Sequence, residues 1–141
     1  MKTGKLLFVY LFFGIAALIS CSKEQEKTEE KELAIDLTDP TYSVLTTYHG
    51  TVIVNGSIIV ANVSEGPLTH IAAYTSCPSC GGLIALLTDN TDPNWHSSYW
   101  KCTNCKSYFN EVGNVQAGPS IMILKTYPVS KSGNILTIHD L

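Results

Sequence analysis

Four cysteines stand in two matched pairs, Cys77-Pro78-Ser79-Cys80 and Cys102-Thr103-Asn104-Cys105. Two thiolates three residues apart can be aimed at one ion by a single tight turn, and the 21 residues between the pairs suffice for a hairpin that brings the turns together. The spacing, C-x2-C-x21-C-x2-C, is close to that of a four-thiolate metal site. Gly81 and Gly82 follow the first pair, and glycine lets the backbone turn back so that its amide N–H groups face the sulfurs. Cys77, Cys80, Cys102 and Cys105 are therefore the candidate ligands. The alternative is a pair of disulfides, which survive in oxidising compartments. Neighbouring C-x-x-C disulfides are usually redox-active, however, and no thioredoxin-like strand and helix pattern surrounds either pair.

The fifth cysteine has a different setting. Lys2 and Lys5 precede an apolar run from Leu6 to Ile19, which ends in Leu18-Ile19-Ser20-Cys21. A positive start followed by an apolar stretch too short to span a bilayer reads as a secretory signal peptide over residues 1–20. Its last four residues resemble a lipobox, in which the cysteine is acylated and becomes the mature N-terminus. Cys21 is then a membrane anchor held by more than one acyl chain. Ser22 to Glu32 carries five Glu and three Lys with no apolar side chain, and residues 21–40 are expected to be a polar tether. Without residues 1–20 the chain has seven Lys against twelve acids, a net charge of −5, and no arginine. That balance argues against nucleic-acid binding, where phosphate contacts dominate affinity. It also excludes a twin-arginine signal.

The elements that must position the cysteines fall in residues 41–141, enough for one domain. Thr51 to Val54 and Ser57 to Val63 are β-branched runs separated by Asn55-Gly56, a strong hairpin signal because both residues accept positive φ. Leu68 to Thr75, Leu83 to Leu87, Ser97 to Lys101, Ile121 to Tyr127 and Asn134 to His139 read as further short strands, with turns between them. No helical apolar period runs over three turns after residue 40, so the expected class is all-β.

From Thr51 onward these residues resemble a Rieske domain, the all-β module that holds a [2Fe-2S] cluster between two loops. Cys102-Thr103-Asn104-Cys105-Lys106-Ser107-Tyr108-Phe109-Asn110 is similar to the family's C-x-x-H-x-S-x-F-D. Gly113-Asn114-Val115 and Gly118-Pro119 follow, then Leu124, Tyr127 and Val129 in the closing strands. The first loop lies after the strand ending at Tyr74. The resemblance implies a β-sandwich with a rubredoxin-like or zinc-ribbon-like metal subdomain. The departures fall on the ligands. Ser79 and Cys105 occupy the slots of the two histidines that hold the outer iron, so Cys80 would supply the missing ligand. The family's inter-loop disulfide would fall at Gly82 and Asn104 and is absent. The implied site is an all-cysteine variant.

A [2Fe-2S] cluster on four thiolates carries more negative charge than one with two imidazoles, and its potential falls towards roughly −400 mV. The chain would then be a one-electron carrier for a membrane-associated redox protein. The cluster is the first expectation; export as an unfolded chain is the argument for the alternative, one zinc ion, which takes four thiolates in a closed tetrahedron and has no redox chemistry, leaving a structural or protein-binding module. CPxCGG with a later CxxC is also similar to a zinc ribbon. His96, beside Trp95, is either a further ligand or a surface residue, and His70 belongs to a strand. Trp95, Tyr99, Trp100, Tyr108 and Phe109 form either a docking platform or packing over the metal loops. Nothing resembles a nucleophile with its base, a phosphate loop or a paired-carboxylate site.

Overall fold

The computed structural model describes residues 31–65, 68–94 and 99–141. The expected signal peptide, Cys21, most of the tether, Trp95 and His96 lie outside the described residues. The fold is all-β, with one short 3-10 helix. In chain order the elements are β1 (Leu33–Asp36), the 3-10 helix (Pro40–Thr46), β2 (Thr51–Val54), β3 (Ile58–Glu65), β4 (Leu68–Tyr74) and β5 (Ile84–Leu86). Then come β6 (Trp100–Cys102), β7 (Tyr108–Phe109), β8 (Val115–Ala117), β9 (Thr126–Tyr127), β10 (Val129–Ser132) and β11 (Ile135–Ile138).

These strands build three antiparallel sheets: β2-β3-β4-β9 in the middle, β5-β6-β7-β8 beside one of its faces, and β1-β11-β10 beside the other. The sequence of β3 explains the middle position. Ile58 to Val63 is buried at every residue, as a run that is apolar at all but Asn62 must be when both faces of a strand are covered. Ile59, Ala61 and Val63, with Ile71 and Ala73 of β4, pack against Ile84, Trp100, Cys102, Phe109 and Leu124. Ile58 and Val60, with Ala72, point the other way, against Ile35, Leu45, Leu136 and Ile138. Alternation along a strand therefore assigns each side chain to one of two cores. The β2–β3 hairpin turns at Asn55 (φ 50°) and Gly56 (φ 68°), both left-handed as expected.

Three expectations shift. The folded part begins before Thr41, because β1 pairs with β11 from Leu33↔Ile138 to Asp36↔Ile135 and buries Ile35. Residues 33–40 thus belong to the sheet and the helix that follows it, not to a tether. The strand expected over Ile121 to Tyr127 shrinks to Thr126–Tyr127, which pairs only with Ala72 and Ala73. The preceding residues are held off the sheet by Ser120 and Leu124, for reasons given below. Finally β7, β8 and β10, two to four residues each, complete the sheets without having carried a pattern of their own.

His70 is a structural residue. It is 5 % exposed on β4, and its Nε2 donates to Leu45 O at 2.9 Å while Nδ1 meets Thr69 Oγ1 at 3.1 Å. Asn62, opposite it on β3, donates from Nδ2 to the same carbonyl at 2.8 Å. The pair clamps the 3-10 helix over the second core, and burial pushes the His70 pKa down, keeping the ring neutral.

Candidate metal centre

Cys77 and Cys80 lie on the loop from β4 to β5, while Cys102 ends β6 and Cys105 lies on the loop from β6 to β7. Strands β5 and β6 pair antiparallel with Ile84 opposite Cys102, so the two loops leave the sheet side by side. All four Sγ atoms lie within 4.8 Å of one another. Two approaches cross between the loops: Cys77 to Cys105 at 3.8 Å and Cys80 to Cys102 at 3.5 Å. Cys77 and Cys102 are buried at the floor, Cys105 is half-buried, and Cys80 is exposed at the rim. The spacing that made the four cysteines one candidate site does bring them together.

The two loops repeat each other in the backbone bonds that close them. Cys77 N–H donates to Gly82 O at 2.8 Å, and Cys102 N–H to Ser107 O at 2.8 Å. Gly81 N–H returns to Cys77 O at 2.9 Å, and Lys106 N–H to Cys102 O at 3.2 Å. Gly81 (φ 69°) and Lys106 (φ 59°) are the left-handed residues that close each turn. Amide donors aim at the sulfurs in the same order. Ser79 and Cys80 N–H reach Cys77, and Gly82 N–H reaches Cys80. Asn104 and Cys105 N–H reach Cys102, and Ser107 N–H reaches Cys105. Gly82 is required by proximity: a Cβ there would stand 2.5 Å from Asn104 Cβ, 3.0 Å from Cys102 Sγ and 3.3 Å from Cys80 Sγ.

Where the loops differ, a hydroxyl takes over. Ser107, fully buried opposite Gly82 in the repeat, places its Oγ 3.2 Å from Cys105 Sγ and accepts from Ser120 N–H at 2.9 Å. Ser120 Oγ in turn meets Ser79 Oγ at 2.6 Å. A third loop is thereby fastened to both metal loops. The Ser107 hydroxyl draws the Cys105 pKa down to about 6, and the Gly82 amide lowers that of Cys80. Burial pushes Cys77 up to about 12 and raises Cys102. The rim thiols ionise first and the floor thiols need a cation to follow them.

The residues fit a metal. Four thiolates are provided, each meets at least one amide donor, and so close a set of negative charges calls for a positive one at its centre. The aromatic residues pack the subdomain. Trp100 and Phe109 are fully buried, and Tyr99 and Cys105 lie against the same core. Tyr108 bonds through its hydroxyl to Asp92 at 2.8 Å, and Lys101 Nζ reaches the same carboxylate at 2.8 Å. Ser120 and Asp92 carried no sequence signal as site residues. Ser107 was visible only through the C-x-x-C-x-S string. No family model and no curated protein matches this chain.

Proposed function

We propose that Cys77, Cys80, Cys102 and Cys105 hold a single metal ion, that the ion is zinc, and that the protein is a membrane-anchored module whose two loops the ion ties together. One observation carries this reading: the four sulfurs all lie within 4.8 Å of one another. A zinc–sulfur bond of about 2.3 Å makes the edge of a regular tetrahedron ~3.8 Å, close to both inter-loop approaches. A two-iron cluster assigns its ligands to separate metal ions with bridging sulfides between them, and so spreads the pairs beyond one tetrahedron. The repeated loops suit a closed tetrahedral site, and zinc would supply cross-linking without redox chemistry.

A second reading rests on the exposed rim. Cys80 reaches solvent and Cys105 is half-exposed, which gives electrons a short path out of the protein. With iron in place of zinc, as the Rieske resemblance implies, the protein would be a one-electron carrier for a membrane-associated redox partner. Metal analysis and the visible spectrum of protein purified without added metal and without air separate the two. One zinc per chain and no colour supports the first reading. Two irons with inorganic sulfide and visible absorption bands overturn it.

The anchor is part of the proposal. No helix among the described residues is long and apolar enough to cross a membrane. Attachment is assigned to acylation of Cys21 on the strength of Leu18-Ile19-Ser20-Cys21. Cys21→Ala should release the protein from membranes or leave its precursor uncut, and unchanged partition and processing would refute lipidation there.

A further inference from the structure

Zinc has no redox chemistry, but the thiolates that hold it do. The four sulfurs differ in how far solvent reaches them: Cys80 is exposed and Cys105 half-buried, while Cys77 and Cys102 lie at the buried floor. Each approach that crosses between the loops joins an accessible sulfur on one side to a buried sulfur on the other. Cys80 meets Cys102 at 3.5 Å, and Cys105 meets Cys77 at 3.8 Å. An accessible thiol with a second thiol held behind it is the arrangement that turns oxidation into a disulfide.

Residue 82 keeps the first of these paths open. A Cβ on Gly82 would stand 3.3 Å from Cys80 Sγ and 3.0 Å from Cys102 Sγ, so a side chain there would crowd both. With glycine in place, the two sulfurs have only to close from 3.5 Å to the roughly 2.05 Å of an S–S bond. The bonds that close the loops, Cys77 N–H to Gly82 O and Cys102 N–H to Ser107 O, each stay within one loop, and neither loop has to open for the sulfurs to meet. The loops are also held side by side without the metal, since Thr103 N–H donates to Leu83 O at 2.9 Å.

We infer that a hydroperoxide converts the centre from a metal cross-link into two covalent ones, Cys80 to Cys102 first and Cys77 to Cys105 after it, and that the ion is released. The release rests on the proposed single ion; the pairing rests on the sulfur positions. The Cys80 thiolate attacks the distal oxygen of the peroxide. An S–O bond forms, the O–O bond breaks, and the departing alkoxide or hydroxide takes a proton from water, leaving Cys80 as a sulfenic acid. The Cys102 thiolate then attacks the Cys80 sulfur. The S–S bond forms, the S–O bond breaks, and the hydroxide that leaves takes a proton to become water. Two electrons have passed from the sulfurs to the peroxide. The two thiolates that remain cannot complete a tetrahedron, so the ion departs. A second equivalent repeats the sequence with Cys105 attacked and Cys77 closing the bond. The loops are tied throughout, by the ion before oxidation and by sulfur after it.

The test adds hydrogen peroxide to the mature, metal-loaded chain, one equivalent and then a second, beside an untreated sample. After the first, the ion is expected free, as a chromophoric chelator reads it. N-ethylmaleimide added in mild acid is expected on Cys77 and Cys105, located by tandem mass spectrometry of the digest. After the second, none of the four cysteines should take the label, and circular dichroism should still record a cooperative melt. Labels on any other two cysteines after the first equivalent overturn the crossed pairing. Sulfinic acid at Cys80, or an ion and thiols that outlast the peroxide, overturn the conversion itself. Protein that takes up no metal but shows labels on Cys77 and Cys105 refutes the proposed ion and leaves the pairing standing.

Discussion

At the scale of single residues the centre separates two kinds of glycine. Gly81 is left-handed with nothing near its missing Cβ, and its counterpart in the other loop is Lys106, so a side chain is tolerated in that conformation. Gly81→Ala should cost about 1–2 kcal/mol of stability and leave metal binding intact. Gly82→Ala drives a methyl into Asn104 and Cys102 and should abolish tight metal binding, which titration against a chromophoric chelator would show. Ser107→Ala removes the hydroxyl from Cys105 and from Ser120 N–H at once. Metal affinity should fall 10- to 100-fold, the usual cost of losing an outer partner. Each single Cys→Ser change should lose most of the metal and much of the stability together, because binding and folding are coupled. If the 77/80 pair can be removed while 102/105 keeps its ion, the shared site fails.

Among the elements, β6 and β7 depend on a carboxylate that the pattern of the chain did not reveal. Asp92 receives Lys101 Nζ, the amide of Asn94 and the Tyr108 hydroxyl, and the Lys101 ammonium foremost holds its carboxyl well below the usual carboxylate range. Its folded pKa lies below the unfolded value, so this contribution to stability is whole above roughly pH 4 and is lost as pH falls through the folded pKa. Asp92→Asn should flatten the acid limb of stability against pH, measured by urea unfolding. The cysteines are common to both proteins, so the difference isolates Asp92. The β2–β3 hairpin was legible because Asn55-Gly56 fixes its turn locally, and the cysteine pairs because their spacing is local too. Ile121 to Leu124 misled because an apolar run reads as a strand whether or not a sheet edge is there to receive it. What excluded it, the Ser120 bonds to Ser79 and Ser107, joins loops far apart in sequence.

For the whole molecule the same distinction governs β1. Leu33 and Ile35 alternate with the exposed Ala34 and Asp36, but four residues beside a charged run make a faint signal, and the partner strand stands at the other end of the chain. A chain beginning at Thr41 would lose Ile35 and Leu37 from the second core, at about 2–5 kcal/mol for each large side chain removed. It should melt at a markedly lower temperature or fail to unfold cooperatively, as circular dichroism would record. The pairing of Leu33 with Ile138 also sets an order of events. Synthesis delivers β1 first and β11 last, so the opening strand waits for nearly the whole chain before it has an edge to join. Strands β2, β3 and β4 and the cysteine loops can close in the meantime, since their partners are nearer in sequence, whereas β9 reaches β4 only late. Completion therefore joins the first and the last of the described strands together. Until then the leading segment offers proteases an unpaired strand that the finished protein hides.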